Sequence, residues 1–147
     1  MTTRGIITRL NSERPGQFQV AVTALGVNDV TRRRPVSEWL DEQRRLWDIL
    51  RTQCGVSLIV VSGLPPVHLF PALPQPLRWY LGRRATEFDH ALVKATNDQP
   101  GCHFVSLRHV QDASAIATDG FHPGAIAYAD WGARIARLVA DVGVGSA

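Results

Sequence analysis

The stretch Phe18-Gln19-Val20-Ala21-Val22-Thr23-Ala24-Leu25 is uncharged, rich in strand-forming residues and ends at Gly26. A short, mostly apolar run of this kind, bounded by glycine, is typical of a buried parallel strand. The pattern recurs in Ser57-Leu58-Ile59-Val60-Val61-Ser62, which is followed by Gly63, and His103-Phe104-Val105-Ser106-Leu107 predicts a third strand. The sequence therefore predicts at least three buried strands.

Helical patterns separate these strands. Pro35 and Ser37 begin a segment in which apolar residues recur at helical spacing to about residue 52, with Trp39 and Trp47 on its buried face. Further helices are predicted over residues 4–12, from a proline-rich loop to near residue 95, and over 123–141. Strands that alternate with helices of this length predict a parallel sheet with helical crossovers, here in a single α/β domain over residues 1–147.

Length and composition narrow the class of protein. A chain of 147 residues has room for one domain and one core, and 45% hydrophobic with 20% charged residues is ordinary for a globular protein. No apolar run approaches the roughly 20 residues that span a bilayer, and the N-terminus lacks the apolar core of a secretory signal. We therefore expect a cytoplasmic protein without a membrane partner. Cys54 and Cys102 are too few for a disulfide framework and are expected to be buried thiols.

The charge of the chain argues against a nucleic-acid-binding protein, and the spacing of its histidines argues against a zinc protein. The net charge is only +3, and the one basic run, Arg32-Arg33-Arg34, has no accompanying aromatic ladder, so we expect no nucleic-acid partner. No histidine pair has the spacing of a zinc site. We expect no metal and no cofactor.

A carboxylate precedes a histidine by three residues in Thr118-Asp119-Gly120-Phe121-His122-Pro123-Gly124. A carboxylate can hold one imidazole nitrogen as N–H and stabilise the imidazolium, which leaves the other nitrogen to act as a base. Asp119 and His122 are therefore a candidate catalytic pair. On these residues alone, a helix cap is the simpler interpretation.

Loops that follow parallel strands meet at one edge of the sheet. The loop at Gly26-Val27-Asn28-Asp29, the loop after Ser62 and the loop that contains His122 should therefore lie close together. Asn28 would supply an amide donor for a developing oxyanion beside the Asp119–His122 pair. Asn-Asp is also common turn chemistry, so a structural role for Asn28 remains open.

These segments resemble the SGNH (GDSL-type) ester hydrolases. Residues 26–29 match the family's Gly-x-Asn-Asp block and residues 119–123 its Asp-x-x-His-Pro block, in the same order, and the similarity covers essentially all 147 residues. The resemblance implies a three-layer α/β/α domain with a parallel sheet, the flavodoxin-like SGNH fold, truncated at its N-terminus. It also implies that His122 is the general base, Asp119 its orienting group and Asn28 an oxyanion donor.

The chain departs from the family pattern at the nucleophile. The family's serine lies in a Gly-Asp-Ser motif on the first strand, and no such motif occurs here. Ser62 stands at the end of a predicted strand beside Gly63 and is the serine that we expect to replace it. A water molecule activated by His122 is the alternative. We expect the substrate to be bound by Gly26, His68 and Phe70.

Two function classes remain open at this point. The first is a carboxylic-ester hydrolase that acts on small-molecule, short-chain acyl or aryl esters. The second is a catalytically silent SGNH-like domain that serves binding or assembly only. In either class, a missing first strand would leave residues 17–25 as an exposed sheet edge, and exposed edges pair with other chains. We therefore expect a homodimer or higher oligomer that buries residues 17–25 and the helix at 4–12.

Overall fold

The structure is a computed structural model that describes residues 1–13, 15–108, 117–118, 120 and 122–143. All three predicted strands and all four predicted helices are present, with ends that differ from the expected ones by a few residues. The elements in chain order are α1 (Thr3–Glu13), β1 (Val20–Thr23), α2 (Val27–Thr31), α3 (Val36–Cys54), β2 (Leu58–Ser62), a 3₁₀ helix (Val67–Leu69), α4 (Leu77–Asn97), β3 (Cys102–Val105) and α5 (Ala125–Val142).

The three strands form one parallel sheet in the order β1-β2-β3. Val22 of β1 pairs with Val60 of β2, and Val60 pairs with His103 of β3. Every residue of β2 is buried because this strand has a neighbour on both sides and helices on both faces. The prediction of an α/β fold with a parallel sheet is confirmed.

Alternate residues of β2 face opposite helical layers, as the two-residue period of a strand requires. Ile59 and Val61 belong to the larger core, which includes side chains of α1, α3 and α4. Leu58 and Val60 face the opposite side and pack with Trp131 and its neighbours on α5. The fold therefore has the predicted three layers, helices, sheet and helix.

The tryptophans of α3 lie in the core, as their helical spacing predicted. Trp39 and Trp47 are both fully buried, and the ring of Trp39 packs against that of Phe88 on α4 with centroids 4.7 Å apart. Cys54 and Cys102 are buried free thiols, also as expected. No helix within the described residues is long and apolar enough to cross a membrane.

Strand β1 differs from its prediction. Only Val20–Thr23 of the run 18–25 forms the strand, and it is half-buried rather than buried because it is the outer strand of the described sheet. Phe18 and Val22, which share one face of the run, are 56% and 45% exposed. The expectation that residues 17–25 pair with a second chain stays a prediction.

Candidate active site

A cavity of about 250 Å³ opens where the three strands end. Residues 24–28 after β1 form one wall, and Gly63, Pro65 and Pro66 after β2 form the next. Leu107, which follows β3, and one face of α5 complete it. The cavity thus lies at the carboxyl edge of the sheet, where the sequence predicted that the three loops meet.

Gly26 shapes the wall that follows β1. Its φ of +129° favours glycine, and a Cβ atom at this position would lie 3.0 Å from the Trp39 ring and 3.3 Å from Leu64. Its carbonyl oxygen accepts hydrogen bonds from the N–H groups of Asp29 and Val30, which begin the short helix α2. This helix was predicted as a loop because a single turn leaves no periodic apolar pattern.

Asn28 lies in α2 at the border of the cavity, with its side chain exposed. Its Nδ2 atom donates a hydrogen bond to the backbone oxygen of Met1 over 3.1 Å. The amide therefore meets a carbonyl oxygen, which is the type of acceptor that an ester presents.

Asp29, the next residue, turns inward and anchors α2. Its carboxylate is fully buried, and Oδ2 accepts hydrogen bonds from both the backbone N–H and the hydroxyl of Thr3, at 3.2 and 3.1 Å. Arg34 lies 3.7 Å from the other carboxylate oxygen. Consecutive residues of the Gly-x-Asn-Asp block thus have different roles, one at the cavity and one in the core.

Glu42 of α3 completes the ion-pair cluster around Arg34. Burial would raise the pKa of Glu42, but hydrogen bonds from Arg34 and Arg4 outweigh it and hold the pKa below its ordinary value. The same hydrogen bond with Glu42 raises the pKa of Arg34. The cluster fixes the start of α3 next to the helix that presents Asn28.

His122 is exposed and directly precedes Pro123, which lines the cavity. The backbone N–H of Ala117 donates to the carbonyl oxygen of His122 over 2.7 Å, so these two residues lie side by side. Gly120 between them is buried with a φ of +76°, and a Cβ atom there would lie 2.8 Å from the Cβ of Ala72. Asp119 lies outside the described residues.

Ser62 occupies the last position of β2 and is 1% exposed. Its hydroxyl oxygen accepts a hydrogen bond from the indole Nε1 of Trp131 over 3.0 Å. Trp131 lines the cavity, whereas Ser62 does not. The structure therefore places the indole ring between the Ser62 hydroxyl and the cavity.

Phe70 and His68, the two residues of the proline-rich loop that were expected to contact the substrate, lie in different places relative to the cavity. Phe70 is buried and lines the cavity, as Gly26 also does. His68 is exposed and does not line it, and its backbone and Cβ pack against Gly82 of α4, where an added Cβ atom would lie 2.8 Å from that of His68.

Asp89 of α4 joins two of the loops at the cavity. This residue is 2% exposed, and its Oδ1 atom accepts a hydrogen bond from the backbone N–H of Leu64 over 2.9 Å. Its Oδ2 atom accepts one from Nε of Arg108 over 2.8 Å. One carboxylate thus holds the segment after β2 and the segment after β3.

Sequence reasoning did not identify three residues that build this site. Tyr128 and Trp131 are three residues apart on α5 and line the cavity together, a spacing that places two aromatic side chains on one helix face. Asp89 lies on the buried face of α4, between Ala85 and Leu92. A charged residue at an apolar position of a helix is a sequence signal that could have indicated a buried carboxylate. Within the described residues, no group of three His, Cys, Asp or Glu side chains is placed to hold a metal ion.

Comparison with known proteins identifies the family. The model of the GDSL-like Lipase/Acylhydrolase family matches residues 2–129, a segment that contains Asn28, Asp119 and His122. The chain belongs to this family, which confirms the resemblance seen in its sequence and indicates acylhydrolase chemistry. No curated protein matches the chain.

Proposed function

We propose that the protein is a carboxylic-ester hydrolase that acts on short-chain acyl or aryl esters. His122 acts as the general base, Asp119 orients its imidazole, and Asn28 donates a hydrogen bond to the oxyanion. The observation that carries this proposal is the Asn28 amide, which borders an apolar cavity and already donates to a carbonyl oxygen over 3.1 Å. Pro123, adjacent to His122, lines the same cavity.

Water is the nucleophile in this proposal. His122 accepts a proton from a water molecule as the water oxygen attacks the acyl carbon. The electron pair of the carbonyl bond moves onto its oxygen, and Asn28 Nδ2 stabilises the negative charge. When the tetrahedral intermediate collapses, the bond to the alcohol oxygen breaks, and that oxygen takes the proton from the imidazolium. The products are a carboxylic acid and an alcohol.

The surroundings of Ser62 favour water over a serine nucleophile. A nucleophilic hydroxyl must lie within about 3 Å of its base and be open to the substrate. The Ser62 hydroxyl is buried and accepts a hydrogen bond from Trp131, which stands at the cavity wall. A fluorophosphonate that labels nucleophilic serines tests this directly. We expect no covalent adduct by intact mass, and an adduct on Ser62 would make that residue the nucleophile.

A catalytically silent domain is the second candidate function. One observation favours it: a donor of the Asn28 amide is already engaged by the backbone oxygen of Met1 rather than open to a ligand. In that case the cavity would bind a ligand without turning it over. Ester hydrolysis no faster than in buffer would support this alternative.

Hydrolysis of p-nitrophenyl butyrate tests the proposal. We expect the purified chain to hydrolyse this ester faster than buffer, and His122→Ala to lower kcat by about 10²–10⁴-fold, the usual contribution of a general base. His90→Ala is the matched control, since His90 is an exposed histidine on α4. Equal rates for wild type and His122→Ala would refute the assignment of the base.

A further inference from the structure

The start of α4 exposes apolar and aromatic side chains. Leu77, Trp79 and Tyr80 are 43%, 59% and 37% exposed, although Leu81 and Ala85 of the same helix are buried. The segment before them, residues 70–76, contains no charged residue. Large apolar side chains that are grouped on the surface usually mark a place where another surface docks.

Arginine side chains surround these rings. The guanidinium carbon of Arg83 lies 5.9 Å from the centroid of the Trp79 ring, and those of Arg33 and Arg84 each lie 6.0 Å from the centroid of Tyr80. These are cation–π distances. The basic run at residues 32–34 therefore does have aromatic neighbours, but they come from a distant segment of the chain.

The positive charge of this surface exceeds its negative charge. Residues 30–37 and 62–86 together contain six arginines and no Asp or Glu, and Glu87 is the first acidic residue after them. Arg34 is paired with Asp29 and Glu42. Among the described residues, Arg33 and Arg83 form no ion pair with a carboxylate. The basic-aromatic patch, as we call this surface, consists of Arg33, Leu77, Trp79, Tyr80, Arg83 and Arg84.

A nucleic acid and an anionic membrane both present phosphates to such a patch, and a guanidinium can bind a phosphate through two N–H groups. The exposed Leu77 and the uncharged segment at 70–76 favour the membrane, because a bilayer interface accepts aliphatic and aromatic side chains beside its headgroups. A base would need to stack on an aromatic face. Arginines already lie over the rings of Trp79 and Tyr80.

We propose that the basic-aromatic patch binds the surface of an anionic phospholipid bilayer. Arg33 and Arg83 contact the headgroup phosphates, and Leu77 and Trp79 enter the interface beneath them. The sequence led us to expect no membrane partner, but that expectation considered only segments that cross a bilayer or form a secretory signal. Binding at the patch does not depend on the proposed ester hydrolysis.

Co-sedimentation of the full chain with lipid vesicles tests this binding. One set of vesicles is phosphatidylcholine alone, and the other is an about 7:3 mixture of phosphatidylcholine and anionic phosphatidylglycerol. The double variant Arg33→Glu/Arg83→Glu reverses two charges of the patch. Its matched control is Arg134→Glu/Arg137→Glu, which changes the net charge equally but lies on α5, on the opposite face of the sheet.

We expect the chain to bind the mixed vesicles, to bind phosphatidylcholine alone at least about tenfold more weakly, and to be released by salt. Each arginine near an anionic surface contributes about 1 kcal/mol, so Arg33→Glu/Arg83→Glu should weaken binding by about 25-fold or more. The double variant on α5 should bind within about threefold of wild type. Circular dichroism confirms that both variants are folded.

The position of Trp79 gives a second, independent measurement. Mixed vesicles should shift the tryptophan fluorescence of the wild-type chain to shorter wavelength, and Trp79→Phe should abolish the shift, because the exposed indole is the one that enters the interface. Trp79→Ala should weaken vesicle binding by about three- to tenfold. Ile126→Ala, at a 78% exposed position on α5, should leave it unchanged.

Equal binding to the two kinds of vesicle, or to neither, would overturn the proposal. Equal weakening by the two double variants would also overturn it, since net charge rather than the patch would then be responsible. A fluorescence shift that persists in Trp79→Phe would place the contact elsewhere and contradict the proposal. Binding of a labelled uridine oligonucleotide without binding of mixed vesicles would assign the patch to nucleic acid instead.

Discussion

The hydroxyl of Thr3 donates a hydrogen bond to Oδ2 of Asp29 over 3.1 Å, across 26 positions of the sequence. The hydroxyl oxygen of Thr3 itself accepts hydrogen bonds from Trp39 Nε1 at 3.1 Å and from Gln43 Nε2 at 2.9 Å. One donor and two acceptor positions are all that a hydroxyl offers, so Thr3 uses its full capacity in a buried site. Through Asp29, this contact joins α1 and α3 to the helix that presents Asn28.

Replacement of this hydroxyl should therefore destabilise the folded chain. Thr3→Val keeps the shape of the side chain and the backbone hydrogen bond to Asp29, but it removes the hydroxyl donor from the buried carboxylate and leaves the buried N–H groups of Trp39 and Gln43 without their acceptor. We expect the free energy of unfolding to fall by about 2–4 kcal/mol, measured by urea denaturation. Thr8→Val on the exposed face of α1 is the control and should change it by less than about 0.5 kcal/mol. Equal effects of the two substitutions would contradict the role of Thr3.

The stability of the folded chain should also depend on the charge of Asp89. Asp89→Asn leaves Arg108 without its carboxylate and loosens the two segments that Asp89 holds at the cavity. We expect the free energy of unfolding to fall by about 2 kcal/mol. Glu13→Gln, which breaks an exposed pair with Arg9, should cost less than about 1 kcal/mol in the same urea experiment. An Asp89→Asn variant as stable as Glu13→Gln would show that the buried carboxylate is not needed.

Glu42 makes stability depend on pH in the acidic range. Its pKa in the folded chain is lowered from an ordinary value of 4.5, so it binds a proton less readily in the folded state than in the unfolded state. Its contribution is therefore fully present above pH 4.5 and is lost as the pH falls through the lower, folded pKa. Urea denaturation between pH 3 and 7 should show a flatter dependence for Glu42→Gln. A variant with the same slope as wild type would contradict this assignment.

The edge of β1 should associate with a second copy of the chain. Residues 15–26 contain no charged residue, and charges are the usual means by which an open strand edge is protected. An identical edge, run antiparallel, would pair with it in a two-fold symmetric dimer. We expect sedimentation equilibrium to show a dimer and Val22→Lys to give a monomer, while Ile126→Lys, at an exposed position on α5, remains dimeric. A wild-type monomer at tens of micromolar would contradict this prediction.

The sequence predicted those features that depend on local pattern. Apolar runs such as 57–62 located the strands, and the helical spacing of Trp39 and Trp47 identified core residues. Both patterns lie within a short run of consecutive residues, so both can be recognised without knowledge of the fold. The same reasoning placed Asn28 at the sheet edge, since the ends of parallel strands converge there.

Features that depend on contacts between distant residues were not predictable. Ser62 was expected at the active face from its position at a strand end, but whether its hydroxyl faces the cavity depends on Trp131, which is 69 positions away. His68 lies in the correct loop, yet close packing against Gly82 determines where that residue sits. Helix α2 is too short to leave a periodic pattern.

The most direct test of the central claim compares Asn28→Ala and His122→Ala in hydrolysis of p-nitrophenyl butyrate, with folding checked by circular dichroism. The account predicts that kcat falls by about 10²–10³-fold without the oxyanion donor and by about 10²–10⁴-fold without the base, with KM little changed in either variant. A folded variant of either kind that hydrolyses the ester at the wild-type rate would contradict it.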